Sequence, residues 1–212
     1  MNSSINNSTS AYDVSKLKAS TEADQIVIVS SDNSSSYSAK FYFYIKNKDG
    51  KWDEIINCDA HIGKGGLGKE KEGDLKTPVG KYKFNCYFGI ADNPGTKLPY
   101  IKLTNSHWWN ADSKTKEYNT MINTDEYGHN FDKNLSEHLI DHKMAYEYGI
   151  NINYNEEGIP EKGSAIFLHC FTLNPFSFGC VAIPKENMKK VMTTVNENCV
   201  IIIDESKNIY SY

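Results

Sequence analysis

The chain has 212 residues, enough for one domain with a substantial core or two small ones. Its 39% apolar and 12% aromatic content belongs to a folded protein and excludes wholesale disorder. A formal net charge of −4 with no basic stripe argues against nucleic acid as a partner. No apolar run approaches the roughly 20 residues that a membrane-spanning helix needs.

The opening residues, MNSSINNSTSAYDVSKLKAS, are rich in Ser and Asn and lack the apolar stretch of a signal peptide. They read as a flexible lead over residues 1–24, ahead of a folded unit at 25–212. Such a start fits a cytoplasmic protein, or one whose targeting segment lies outside this chain.

Most of the remaining chain reads as strands. QIVIV at 25–29 is a short branched run, and KFYFYIK at 40–46 is aromatic-rich and ends in a turn at Asn47 to Gly50. WDEIINCDAHI at 52–62 is also extended. The glycines Gly63, Gly65 and Gly68 spell GxGxxG, but Glu70 stands where a phosphate loop needs Ser or Thr, and no helix comes after it. A glycine-rich loop is the better reading. In GKYKFNCYFGI at 80–90, Tyr82, Phe84, Cys86 and Phe88 alternate and are expected on one face. YIKLT at 100–104 is a further strand. Residues 105–135 look like a long loop or lid. Asn134 to Tyr146 is expected as a helix that places His138 and His142 on one face. AIFLHCF at 165–171, CVAI at 180–183 and CVIII at 199–203 complete the strands. Met188, Val191, Met192 and Val195 fall at helical spacing after Pro184. The sum is a mainly β fold with few helices, a sandwich or a partly closed barrel.

Five cysteines, an odd number without CxxC spacing, point to neither a disulfide framework nor a zinc site, and no cofactor or metal is called for. Cys58, Cys86 and Cys199 read as small buried apolar residues. The chemistry gathers in SAIFLHCFTLNPFSFGCVAIP, Ser164 to Pro184. His169 sits near the end of one strand, and Cys180 opens the next strand 11 residues later. Strand ends joined by such a loop bring a thiol and an imidazole together, which is what a cysteine nucleophile requires. Gly179 clears space beside the sulfur, and backbone N–H groups at Phe178, Gly179 and Cys180 are candidates to face an oxyanion. Ser177 and Cys170 are supporting candidates. Cys170 neighbours the histidine but should point to the opposite face of its strand. On residue types alone, a buried cysteine beside a core histidine explains the segment equally well.

At this segment the sequence resembles the L,D-transpeptidase catalytic domain of the YkuD or ErfK type. The resemblance rests on His169 followed by Ser177-Phe178-Gly179-Cys180, and on Asp74, Thr77, Pro78, Gly80 and Tyr82, which match the family's G-D-x-x-T-P-x-G-x-Y/F stretch. WNADSKTKEYN at 109–119 and KGSAIFLH at 162–169 look like one branch of that family. The likeness extends over roughly residues 26–204. Phe178 stands where many members have a second histidine, Cys170 where glycine is frequent, and Ala182 where arginine or asparagine is frequent.

The resemblance implies a YkuD-like β domain with its site in a cleft. It implies that Cys180 attacks the peptide bond before D-alanine in a peptidoglycan tetrapeptide stem. The thioester then passes to the amine of an acceptor stem, or to water. His169 would serve as acid and base, oriented by a backbone carbonyl near Cys170 or Phe171. Carbapenem-type inhibitors are expected to acylate the same sulfur. The family's setting implies an extracytoplasmic location in the cell envelope. Trp109, Asp112 and His138 are assigned to the substrate groove. A silent peptidoglycan-binding module is the competing class. A papain-like peptidase fits less well, because the histidine comes first here and a strand follows the cysteine.

Overall fold

The computed structural model describes residues 10–126 and 128–212. Twelve strands form in chain order: β1 (Gln25–Ser31), β2 (Ser38–Lys46), β3 (Trp52–His61), β4 (Gly80–Gly89), β5 (Tyr100–Lys102), β6 (His107–Asn110), β7 (Thr120–Asn123), β8 (Glu137–His138), β9 (Gly149–Ile152), β10 (Phe167–Cys170), β11 (Val181–Ile183) and β12 (Cys199–Glu205). One α-helix, α1 (Lys185–Thr194), lies between β11 and β12.

Eight strands close on themselves in the order β12-β1-β2-β3-β11-β10-β9-β4, and pairs from Val200–Lys83 to Ile203–Gly80 join β4 back to β12. The expected mainly β, barrel-like architecture is therefore present. β5 continues the sheet from the far end of β4. Two pairings are parallel within this ring: β1 with β12, and β10 with β11. The second one controls the site, because it sets the end of β10 beside the start of β11.

The main core holds Val27, Val29, Phe41 and Phe43 from the first two strands, with Leu168, Val181 and Ile201 from later ones. α1 adds Met188, Val191 and Met192, the stripe expected from its spacing, and Val195 just beyond its end is buried as well. β1 is buried on both faces, which is why its sequence is a continuous apolar run. Ile26 and Ile28 point outward into a second cluster with Tyr44, Val200 and Ile202.

The lid of that second cluster corrects the expected 1–24 lead. Residues 10–24 form two short 3-10 turns, Val14–Lys16 and Lys18–Thr21, and Val14, Leu17, Ala19 and Ala23 are buried against it; residues 1–9 lie outside the described residues. Polar composition hid four apolar anchors spaced too irregularly to show periodicity.

Three other expectations are corrected. Residues 105–135 contain β6 and β7, which pair with each other, and β8 just beyond them completes a small antiparallel sheet on β6. The helix expected at Asn134 to Tyr146 is absent. Glu137 and His138 pair with β6, and only single 3-10 turns come after them, at Leu139–Asp141 and Ala145–Glu147. Leu139 and Tyr146 bury themselves in a third cluster around Phe88 and Phe167, and that packing outweighs helical propensity. In β4, a register shift between Phe84 and Cys86 divides the alternating set. Tyr82 and Phe84 pack on the main core, whereas Cys86 and Phe88 join the third cluster.

Leu17 has almost no exposed surface, so removing its side chain leaves a cavity. Leu17→Ala is expected to lower stability by about 2–5 kcal/mol. Chemical denaturation measures this. An unchanged midpoint would show that residues 10–24 do not contribute to the folded core.

Candidate functional site

The parallel step from β10 to β11 brings His169 and Cys180 to one cleft of about 450 Å3. Its wall also includes Lys69, Glu137, His142 and Tyr146. The cleft is open on the side of Phe178, which is 67% exposed.

His169 is buried, and its Nδ1 lies 2.8 Å from the carbonyl oxygen of Cys170. A carbonyl only accepts, so Nδ1 carries the proton and Nε2 is the basic nitrogen. The backbone-carbonyl orienter expected from the sequence is thus in place. Burial pushes the imidazole down to about 4, against the opposing pull of that hydrogen bond. Tyr146 packs edge-on to the ring at 5.7 Å.

Cys180 is half-buried. Its thiol donates to the carbonyl of Ala165 at 3.2 Å, and its sulfur accepts the N–H of Phe167 at 3.3 Å. Burial, with a smaller contribution from Glu137, pushes the thiol up to about 12. At neutral pH, sulfur and imidazole are therefore both uncharged. Ala165 holds left-handed backbone at φ +54°, and Asn119 accepts its N–H at 3.0 Å. This strained residue aims its carbonyl at the thiol.

The turn beneath the sulfur is built from Ser177, Gly179 and Thr77. Ser177 Oγ donates to the carbonyl of Cys180 at 2.6 Å and accepts the N–H of Gly179 at 3.1 Å. The amide of Gly179 is consequently committed to the turn, which leaves Phe178 and Cys180 as the candidate oxyanion amides. Thr77 is fully buried. Its hydroxyl accepts the N–H of Gly63 and donates to the carbonyl of Gly179, both at 2.8 Å. Gly179 adopts φ +146°, and a Cβ there would sit 3.1 Å from the carbonyl of Lys76. Gly63 is excluded from carrying a side chain more strongly, since its Cβ would lie 2.3 Å from the carbonyl of Leu75. The glycine pattern of 63–68 is thus a close-packed rim.

Above this rim, Lys69 and Asp74 form a buried ion pair at 3.0 Å. Burial alone would raise the Asp74 carboxyl. Amides of Glu70, Lys71 and Lys76, together with Lys69, outweigh it and hold the group at about 2.

Other expected site residues go elsewhere. Cys170 belongs to the main core on the face opposite His169, as strand alternation requires. Trp109 is buried edge-on against Phe167, with its indole N–H donating to Asn119, and does not line the cleft. Asp112 accepts the amides of Lys114 and Asp132 and fixes a loop. His138 stacks on Trp108 at 4.3 Å. None of these three lines the cleft that holds Cys180 and His169. Of the histidine pair, only His142 reaches the cleft. The sequence offered no reason to choose Glu137, Tyr146 or Ala165. The Thr-Pro segment was visible as a motif, but its buried hydroxyl contacts were not.

A closed β-barrel whose rim carries a thiol and an imidazole in one cleft defines the class of this domain. The model of the YkuD family, the L,D-transpeptidase catalytic domain, matches residues 24–203, and the chain belongs to that family. Among solved structures, the helical cell shape determining protein Pgp2 from Campylobacter jejuni aligns at 18% identity with a TM-score of 0.48, over 89% of this chain and 50% of that one. L,D-transpeptidase 1 from Mycobacterium tuberculosis aligns at 12% identity with a TM-score of 0.38, over 86% and 62%. The chain thus spans about half the length of Pgp2 and less than two thirds of the mycobacterial protein. Comparison with curated proteins gave no match.

Two outcomes test this architecture. Thr77→Val leaves the N–H of Gly63 and the carbonyl of Gly179 unpaired, and is expected to cost about 2–3 kcal/mol, whereas Thr77→Ser retains most of the stability. Equal losses in denaturation curves would refute the hydroxyl's role. Asp74→Ala strands the Lys69 ammonium in a buried site and is expected to cost about 3–5 kcal/mol near neutral pH. The folded Asp74 carboxyl lies below its ordinary 3.8, so its contribution is complete above that value and fades as pH falls toward about 2. The gap between variant and wild type should narrow over that window.

Proposed function

We propose that this domain performs cysteine-dependent acyl transfer on peptidoglycan stem tetrapeptides, as an L,D-transpeptidase that forms 3-3 cross-links. Membership of the YkuD family supports the reaction class. The observation that carries it is the shared cleft of Cys180 and His169, with the His169 tautomer fixed by the Cys170 carbonyl.

In the first half-reaction, Cys180 Sγ bonds to the carbonyl carbon of the diamino acid that precedes D-alanine. The thiol proton moves to Nε2 of His169. The amides of Cys180 and Phe178 face the developing oxyanion. The C–N bond then breaks, and His169 returns the proton to the leaving amine of D-alanine. An acceptor stem's amine resolves the thioester; water in its place gives an L,D-carboxypeptidase. Donor and acceptor stems are the partners, and the cell envelope, outside the cytoplasmic membrane, is the workplace. No helix among the described residues is long and apolar enough to cross a membrane.

The resting thiol at about 12 and the imidazole at about 4 disfavour a standing thiolate–imidazolium pair. Substrate must therefore displace the thiol from the Ala165 carbonyl before the proton moves.

Incubation with a carbapenem is expected to add the whole inhibitor mass to Cys180, since the lactam C–N bond opens and nothing departs. Cys180→Ala should show no adduct and no conversion of disaccharide tetrapeptides, measured by mass analysis of products with and without an acceptor stem. Folded wild type that gains no mass and converts no muropeptide would leave a silent binding module as the reading.

A further inference from the structure

His169 serves the first half-reaction from a buried position beside the sulfur. Its ring is buried, and burial weakens it as a proton acceptor. In the second half-reaction an amine must lose a proton while attacking the thioester, and a base open to the incoming acceptor is required.

The cleft holds a second imidazole. The imidazole of His142 lines it and is nearly half exposed, so it is open to an incoming molecule. Its Nε2 lies 3.1 Å from Glu137 Oε1. The hydroxyl of Tyr146 donates to that same carboxylate oxygen. Glu137 is itself fixed by the pairing of β8 with β6, and its side chain is largely buried. The arrangement sets an exposed imidazole against a largely buried carboxylate, a pairing that base catalysis uses elsewhere. Tyr146 bridges the two histidine systems, since its ring also packs at 5.2 Å on His142 and at 5.7 Å on His169.

We propose that His142, oriented by Glu137, is the general base of the second half-reaction, acting on the acceptor amine while His169 serves the first. This rests on the acyl-transfer reading above. The amine nitrogen bonds to the thioester carbonyl carbon, and its proton passes to Nδ1 of His142. The C–S bond breaks, and the sulfur leaves with the bonding pair. The proton on His142 returns through cleft water to the sulfur, so the thiol is regenerated and the amide product carries no net charge change. Glu137 is a positioning residue in this scheme, because it touches His142 and not the reacting atoms.

The test separates the two half-reactions. Wild type and His142→Ala are mixed with a disaccharide tetrapeptide donor and an amine-bearing acceptor stem, quenched over time, and weighed intact. In wild type the thioester on Cys180 is expected to be short-lived. In His142→Ala it should accumulate, with resolution slowed about 100-fold and acylation slowed far less. Imidazole added to the buffer should restore much of the lost resolution rate, a rescue that a purely structural role would not give. Glu137→Gln should fall between the two. Equal slowing of both steps, unchanged resolution, or failure of imidazole to rescue would each overturn the assignment of His142. A wild type that never forms the thioester would overturn the acyl-transfer reading itself.

Discussion

The hydroxyl of Thr77 is the contact on which the site depends. It has one proton to give and lone pairs to accept with, and it uses both in a buried position. It thereby ties the chain after β3, the chain before β4 and the turn before β11 into one rim. Ser177 reinforces the tie, because its amide donates to the carbonyl of Ile62 and its carbonyl accepts the amide of Lys64. Orphaned polar groups at such depth cost more than the bonds return when made, so this rim has one favourable arrangement. The position of Cys180 follows from it.

The electrostatics of the cleft favour restraint at rest. Burial discourages charge on both the proposed nucleophile and its partner, so the pair stays neutral until a substrate enters. The one charged pair held deep in the rim, Lys69 with Asp74, is saturated by backbone amides and stays committed to structure.

The barrel was largely legible in the sequence because its strands are apolar on one face or on both, and α1 declared itself through a clean stripe. That His169 and Cys180 share a cleft while Cys170 faces away was legible as well, since strand alternation separates His169 from Cys170 without any tertiary information. What was hidden depends on contacts between distant segments. Residues 134–146 have some helical character, yet Glu137 and His138 gain more by pairing with β6, and Leu139 by burial. Trp109 looked like a groove wall because it is aromatic and lies in a polar stretch, but its ring fills a core. Residues 10–24 looked unstructured, because four well-placed apolar side chains suffice to cover a sheet face and leave no periodic trace. The bulge in β4 breaks an alternation that the sequence continues without interruption.

The ring of strands has its seam where its first and last members meet. β1 lies parallel to β12, residue 25 beside residue 199, and β12 also supplies the contact that fastens β4. A newly made chain therefore holds every group of the cleft before it has the piece that closes the cylinder. Joining segments so far apart in sequence is a late and slow event. Until β12 emerges the molecule stays unfastened, and the cleft of His169 and Cys180 takes its final form only after the ribosome has passed that strand.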